Sequence, residues 1–161
     1  MNKKTEQAMV DLYHGTIEAI LPSIEIGDSR LFDGLFFSDD QDAAGSHGPN
    51  VYAIEIDDAD IATSYDLGQA DFSEVRSIIS VEANTEDDGL INELYDAITD
   101  DVGFKGAEPF VGRIATRSKC EPLADTAWEL QRLRGRIAAA LGYRAVEMED
   151  EHGTSYLVVS C

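Results

Sequence analysis

Apolar and polar side chains alternate along several short stretches of the chain, and this period of two predicts strands that bury one face. Val51–Ile56 is the clearest case, because its tyrosine and two isoleucines fall on the same face. A first strand is predicted to end at Gly15, and a hairpin around the polar turn Glu149–Gly153 is predicted near the end of the chain. The predicted strands are Met9–His14, Leu35–Ser38, Val51–Ile56, Tyr143–Met148 and Thr154–Ser160.

Elsewhere apolar residues recur every three to four positions, which predicts helices with one apolar face. The longest such pattern covers 123–141 and stops at Gly142. Another covers 17–24, with Thr16 as a favourable N-cap residue and Gly27 as its end. Two further helices are predicted at Asp39–Ala44, capped by Ser38 or Asp39, and at Gly89–Ile98. This mixture of strands and helices predicts one α+β domain over residues 1–161.

Length and composition predict a folded chain. Of its 161 residues, 43% are hydrophobic, which is enough for one core, and no apolar stretch is long enough to span a bilayer. Met1–Gln7 lacks the apolar region of a secretory signal, and two cysteines, Cys120 and Cys161, cannot form a disulfide framework. We therefore expect a reduced, cytoplasmic protein.

The chain is strongly acidic, with 32 acidic and 12 basic residues and a net charge of −20. Phosphate backbones and anionic lipids repel such a chain, so direct binding to nucleic acid or membrane is not expected. Seven acids and no base lie between Thr85 and Asp101, whereas six of the bases lie between Arg117 and Arg144. The acidic segment is either a solvated face or a surface that docks on a basic partner.

Three short motifs carry residues suited to chemistry. His14 ends the predicted first strand beside Gly15, and a glycine lets a ligand approach the backbone closely. The paired aromatics of Gly34–Ser38 can form a platform for a flat ring. Four acids crowd into positions 147–151, where one held in a cleft would have a perturbed pKa. Each motif alone also fits an ordinary role, as a surface histidine, core aromatics or a solvated turn.

Together and in this order, the motifs resemble the ADP-ribosyltransferases of the histidine–tyrosine–glutamate type, the superfamily of diphtheria toxin and the poly-ADP-ribose polymerases. The His-Gly-Thr sequence at 14–16 matches the first strand of that superfamily, and Gly34–Ser38 matches its glycine–aliphatic–aromatic strand. The stretch from Trp128 to Tyr156 is similar to the small phage anti-CRISPR ADP-ribosyltransferases. The resemblance implies an α+β domain with a split antiparallel sheet and flanking helices, acting as a mono-ADP-ribosyltransferase on a protein.

The resemblance also implies that NAD, the ADP-ribose donor, is bound by the first two motifs. His14 would hydrogen-bond a ribose hydroxyl, the Gly15 backbone would hold the nicotinamide amide, and Thr16 would reach the adenine-side ribose. Phe36 is expected to stack on the nicotinamide ring, because only one face of an alternating strand can line a pocket. The other expected NAD-binding residues are Phe37, His47 where the superfamily has a second aromatic ring, and Arg30 for the pyrophosphate.

A catalytic acid is expected in the closing hairpin. Breaking the bond between nicotinamide and ribose builds positive charge on the sugar, and a nearby carboxylate complements that transition state. The polymerases have a glutamate where this chain has Ser155. In the closer family a turn aspartate takes that role, and it matches Asp150, with Glu151 next to it. The expected catalytic residues are therefore His14, Asp150 and Glu151.

The closer family inactivates the type I-F Cascade complex by modifying its Cas8 subunit near the PAM-reading site, so the resemblance implies Cas8 as partner, in a bacterial cytoplasm. Two alternatives remain open: a toxin of this class with another target, and a non-catalytic acidic mimic of nucleic acid. RNA 2′-phosphotransferases share NAD and the His-Gly-Thr strand, but they need a basic surface, which this chain lacks. No metal site is expected, since the spacings of His14, His47, His152 and Cys120 match no ligand motif.

Overall fold

The structure is a computed structural model that describes residues 8–24, 32–150 and 153–160. Six strands and six α-helices alternate along these residues, which confirms the predicted α+β class. The strands are β1 (Met9–Thr16), β2 (Leu35–Phe37), β3 (Asn50–Asp57), β4 (Ile61–Ala62), β5 (Ala145–Asp150) and β6 (Gly153–Val158). The helices are α1 (Gln41–Gly45), α2 (Ser64–Gln69), α3 (Phe72–Glu82), α4 (Asp88–Thr99), α5 (Gly103–Gly106) and α6 (Pro122–Ala140).

The strands form two separate sheets, which agrees with the split sheet that the resemblance implies. In the first, β1 pairs antiparallel with β3 along the whole length of both strands. The second has the order β2-β6-β5-β4, with β4 parallel to β5 and the other pairs antiparallel. Tyr13 and Ser38 exchange two backbone hydrogen bonds, of 2.7 and 2.8 Å, that link β1 to the chain directly after β2. The end of β1 is thereby held beside the end of β2.

The helix predicted from Thr16 is wrong over the residues that the structure describes. Thr16 belongs to β1, where it pairs with Asn50, and 17–24 are not helical. The Asn50 side-chain amide donates to the Ile17 and Glu18 carbonyls, groups that a helix would have used internally. Ile17 and Ile20 are 78% and 80% exposed, and only Leu21 and Ile24 of the predicted apolar face pack against the smaller core. The predicted end at Gly27 lies outside the described residues.

Most of the other predicted elements are confirmed, with shifted ends. The helix after β2 is capped by Asp40, whose carboxylate accepts from the Asp42 and Ala43 amides, rather than by Ser38 or Asp39. The acidic helix is α4 and the long helix is α6. The sequence pattern missed α2 and α3, although α3 buries Val75 and Ile79 against the core.

The main core lies between the three longer helices and the inner face of the second sheet. It includes Ile79 of α3, Leu94 of α4, Leu133 and Ile137 of α6 and Leu157 of β6. Helix α6 is buried on almost every side, and its buried residues include charged ones. Of the helices described, none is both long and apolar enough to cross a membrane.

A buried ion cluster fixes the segment that enters β2. Asp33 is 1% exposed, and its Oδ2 lies 3.1 Å from Nη1 of Arg132 and 3.0 Å from Nε of Arg136. Its Oδ1 pairs with the guanidinium of Arg117. Burial by itself lowers the pKa of the Arg132 guanidinium, but its pairs with Glu129, Asp33 and Glu82 outweigh that effect and raise the pKa. The acids Asp33, Glu82 and Glu129 thus balance the bases Arg117, Arg132 and Arg136.

Candidate functional site

A cleft of about 860 Å³ opens where the ends of β1, β2 and β5 meet helices α1 and α6. This volume lies within the range of pockets that bury small ligands and cofactors. Its lining joins residues that are far apart in sequence, because the two sheets place the end of β1, β2 and the β5–β6 hairpin side by side. The predicted residues in the lining are His14, Gly15, Phe36, Phe37, His47 and Asp150.

His14 is held in one orientation by the backbone of the neighbouring strand. Its Nδ1 lies 2.7 Å from the carbonyl oxygen of Phe36. A carbonyl can only accept, so Nδ1 carries the proton and donates it, and in the neutral ring Nε2 is left as an acceptor. The ring also lies against that of Phe37, with centroids 5.3 Å apart. Such a histidine is suited to accept a hydrogen bond from a hydroxyl group in the cleft.

Gly15 is required by close packing of the chain against itself. A Cβ atom at this position would lie 1.7 Å from the carbonyl oxygen of Ala44, far inside van der Waals contact. Only glycine therefore lets α1 approach the end of β1, and α1 with its following turn brings His47 to the cleft. The glycine of the motif has a structural role in addition to the ligand-binding role expected from the sequence.

An aromatic wall forms one side of the cleft. Phe36 is half-buried and meets Phe32 edge to face, with centroids 4.8 Å apart. Phe32 in turn meets Trp128 of α6 at 6.5 Å. Phe37 is almost fully buried in the smaller core, although part of it borders the cleft. Phe36 therefore offers the more accessible ring, although the expectation that only one of the two phenylalanines would line the pocket is wrong, because both border it.

Asp150 stands at the rim of the cleft, as the last residue of β5, opposite Gly153 of β6. Its carboxylate is exposed, and the adjacent lining includes Thr154 and the buried Ser155. The preceding residue is anchored from outside the sheet: the Glu149 amide donates to the Asp101 carboxylate at 2.7 Å. The end of the strand is thus tied to the end of α4.

A second carboxyl on β5, that of Glu147, is not among the groups that line the cleft. Burial raises the pKa of Glu147, which lies with Arg134 in a separate cavity of about 160 Å³. Arg134 is itself buried, which lowers the pKa of its guanidinium, and it donates to the carbonyls of Ile98, Thr99 and Glu147. Arg134 thus joins α4 and α6 to β5 through backbone carbonyls, and neither Arg134 nor Glu147 lines the cleft.

Three of the predicted site residues are not found in the cleft lining that the structure describes. Thr16 does not line the cleft, and its hydroxyl accepts from the Glu18 amide at 3.1 Å. Arg30 and Glu151 lie outside the described residues. Among the described lining residues there is no lysine or arginine to face a pyrophosphate. Within the described ranges, which omit His152, no group of three or more metal-ligating side chains converges.

Sequence patterns missed the helix wall of the cleft. Trp128 and Gln131 of α6 line it, together with Phe32. Trp128 and Gln131 are three residues apart, so they lie on the same face of the helix. That spacing was the one sign in the sequence that the two side chains could line a common surface. It did not show that this face would meet the end of β1 rather than the core.

Both the sequence and the fold are similar to those of anti-CRISPR proteins. The model of the family described as Anti-CRISPR Type I-F ADP-ribosyltransferase AcrIF11 matches residues 10–161. A solved structure described as the crystal structure of an anti-CRISPR protein is 33% identical, with a TM-score of 0.62, and the match covers 94% of this chain and 90% of that one. No curated protein matches the sequence significantly.

Proposed function

We propose that this chain, which belongs to the Anti-CRISPR Type I-F ADP-ribosyltransferase family, inactivates a type I-F Cascade by transferring one ADP-ribose from NAD to its Cas8 subunit. Membership of the family makes the chain an NAD-dependent protein ADP-ribosyltransferase. The observation that carries the site assignment is a single cleft that collects His14, Phe36 and Asp150 from three separate strands.

The size of the cleft and its aromatic wall support the proposal that it binds NAD. Bound NAD would supply the ADP-ribosyl group, and breaking its bond between nicotinamide and ribose would build positive charge on the sugar. Phe36 would bind the flat nicotinamide ring, His14 would accept a hydrogen bond from a ribose hydroxyl through Nε2, and Gly15 would contribute its backbone. His47 borders the same space from the turn after α1.

Asp150 would act as an electrostatic partner for that positive charge. A carboxylate already in place needs no reorganisation when the charge develops, and such preorganised groups in enzymes are worth about 3–4 kcal/mol. Its place at the exposed end of β5 also leaves room for a protein side chain to approach. Glu151 remains the alternative acid, and Arg30 the proposed partner of the pyrophosphate.

Replacing Phe36 with alanine is expected to weaken NAD binding by about 10- to 100-fold, the range found when an aromatic platform is removed from under a base. Isothermal titration calorimetry measures this directly. Phe72→Ala is the matched control, because Phe72 is a half-exposed phenylalanine of α3 that packs on Tyr95 away from the cleft. Equal affinity of Phe36→Ala and wild type would remove Phe36 from the site.

Some acids of the segment 85–101 contact groups of the same chain, and the others are exposed and could attract a basic protein. Asp88 pairs with Arg76 at 2.6 Å, and a hydrogen bond from Arg113 lowers the pKa of the Glu93 carboxyl. Asp87 caps α4. The exposed acids Glu86, Asp96 and Asp100 are in none of the ion pairs found among the described residues. These three are the proposed attracting charges.

Neutralising Glu86, Asp96 and Asp100 is expected to slow association with the target and to reduce its dependence on salt, because exposed charges act over about 8–10 Å. Stopped-flow or surface-binding rates at several salt concentrations measure the effect. A control with the same change in net charge neutralises the exposed Asp11, Glu55 and Asp58 of the first sheet and its edge. Equal rates for the two triple variants would make the acidic segment a solvated face.

The target itself is tested by incubating purified type I-F Cascade with this protein and NAD. We expect mass spectrometry to find one added ADP-ribose on the Cas8 subunit. The alternative function, a non-catalytic mimic of nucleic acid, is tested by a His14→Ala, Asp150→Ala double variant. This variant would still inhibit Cascade fully if the acidic protein acted only by occupying a basic surface. Modification of another protein, with Cas8 unchanged, would replace the proposed target.

A further inference from the structure

Residues 100–104 comprise the short connection between α4 and α5 and the first two residues of α5, and backbone hydrogen bonds tie them to their neighbours. Asp101 and Gly103 both have left-handed backbones, with φ of 54° and 67°. The Val102 amide donates to the carbonyl of Ala97, and the Asp101 carboxylate accepts from the Glu149 amide. These bonds anchor the segment to α4 on one side and to β5 on the other.

This segment presents two apolar side chains to solvent. Val102 is 40% exposed and Phe104 is 53% exposed. Both border a small cavity of about 80 Å³, with room for one small side chain, whose floor is formed by α4 and α6. Together with the cavity they form a small exposed apolar patch, which favours contact with another apolar side chain.

The small cavity lies next to the cleft, because Trp128 and Gln131 of α6 line both spaces and form the wall between them. On the other side of the segment, the Asp101–Glu149 hydrogen bond places it one residue from Asp150. The surface therefore adjoins the cleft on the side of the proposed catalytic acid.

The charge around this surface identifies the kind of partner. Asp96 and Asp100 at the end of α4 are exposed, and the acidic segment of the sequence ends at this point. The exposed Lys105 follows Phe104 directly, so two acids and one base surround the apolar centre. The surplus of negative charge complements a protein segment that carries an apolar side chain next to a basic one.

We infer that residues 100–104 form the surface that receives the acceptor segment of the modified protein. An apolar side chain of that segment packs against Val102 and Phe104 over the small cavity, and a neighbouring basic side chain faces Asp96 and Asp100. The contact brings the residue to be modified to the Asp150 end of the cleft. The inference rests on the proposed function, and it assigns the acceptor side of the same site.

The experiment compares Phe104→Ala and Val102→Ala with wild type in ADP-ribosylation of purified Cascade. Apolar anchors at the centre of an interface are often its strongest contributors, so we expect the KM for the protein target to rise at least tenfold in Phe104→Ala. NAD affinity by calorimetry, and the melting temperature, should stay as in wild type. Phe72→Ala and Val81→Ala are matched controls, since Val81 is an exposed valine of α3 on another side of the molecule.

Each outcome decides between distinct possibilities. A wild-type KM for the target in both Phe104→Ala and Val102→Ala would overturn the docking surface. Loss of NAD affinity in these variants would overturn it too, because the segment would then support the cleft rather than the target. Failure of wild type to modify any Cascade subunit would overturn the proposed function itself, and this inference with it.

Discussion

Replacing Asp150 with alanine is expected to lower the kcat of ADP-ribose transfer by about 10²- to 10³-fold, which corresponds to the 3–4 kcal/mol that a preorganised charge contributes. NAD affinity should change much less, because the carboxylate complements the transition state more than the bound ground state. The melting temperature should also stay close to that of wild type, since the side chain is exposed at a strand end. Single-turnover transfer to the target, with calorimetry for NAD, separates these quantities.

Glu149→Ala is the matched control for this variant. Glu149 is also exposed and acidic and precedes Asp150 directly, but its side chain points to the other side of β5 and does not line the cleft. Asp150→Asn keeps the shape and removes the charge, so it should be nearly as inactive as alanine. An inactive Glu151→Ala beside an active Asp150→Ala would move the catalytic role by one residue.

Replacing Asp33 with asparagine is expected to destabilise the fold by about 3 kcal/mol, because it leaves three arginines around two remaining acids in a mostly buried cluster. Asparagine tolerates the left-handed backbone at this position, where φ is 59°, so the change isolates the charge. For a chain of this length we expect the melting temperature to fall by about 6–12 °C. Denaturant unfolding monitored by circular dichroism measures the free energy.

Asp88→Asn makes the corresponding change in an exposed pair. Asp88 contacts Arg76 at the surface, where solvent and side-chain entropy cancel most of the attraction. Its unfolding curve should overlay that of wild type. Equal stability of Asp33→Asn and Asp88→Asn would show that the buried cluster contributes nothing through its charge.

Local patterns were sufficient to find the strands that carry the site. The alternation in Val51–Ile56 corresponds to β3, whose Ile56 is fully buried, and the closing hairpin is β5 with β6. Of the NAD-binding residues predicted from the two motifs, His14, Gly15, Phe36 and Phe37 line one cleft, whereas Thr16 does not. Their individual roles in NAD binding and catalysis stay predictions until the variants are measured.

Local patterns failed where a distant part of the chain competed for the same groups. The spacing of Ile17 and Ile20 matches a helix, but pairing of Thr16 with Asn50 continues β1, and Asn50 takes the carbonyls that follow. Hydrogen bonds between residues more than 30 positions apart cannot be found from spacing along one segment.

The sequence by itself determined the α+β class, the strong negative charge and the motif residues of the cleft, because these follow from side-chain period, composition and short motifs. Only the tertiary structure decided which surfaces meet. It placed Trp128 and Gln131 of α6 in the same cleft as the end of β1, buried Asp33 among three arginines, and paired two of the seven acids of the acidic segment with arginines of the same chain. The physical reason is that burial and charge pairing depend on neighbours in space, and sequence patterns report only neighbours along the chain.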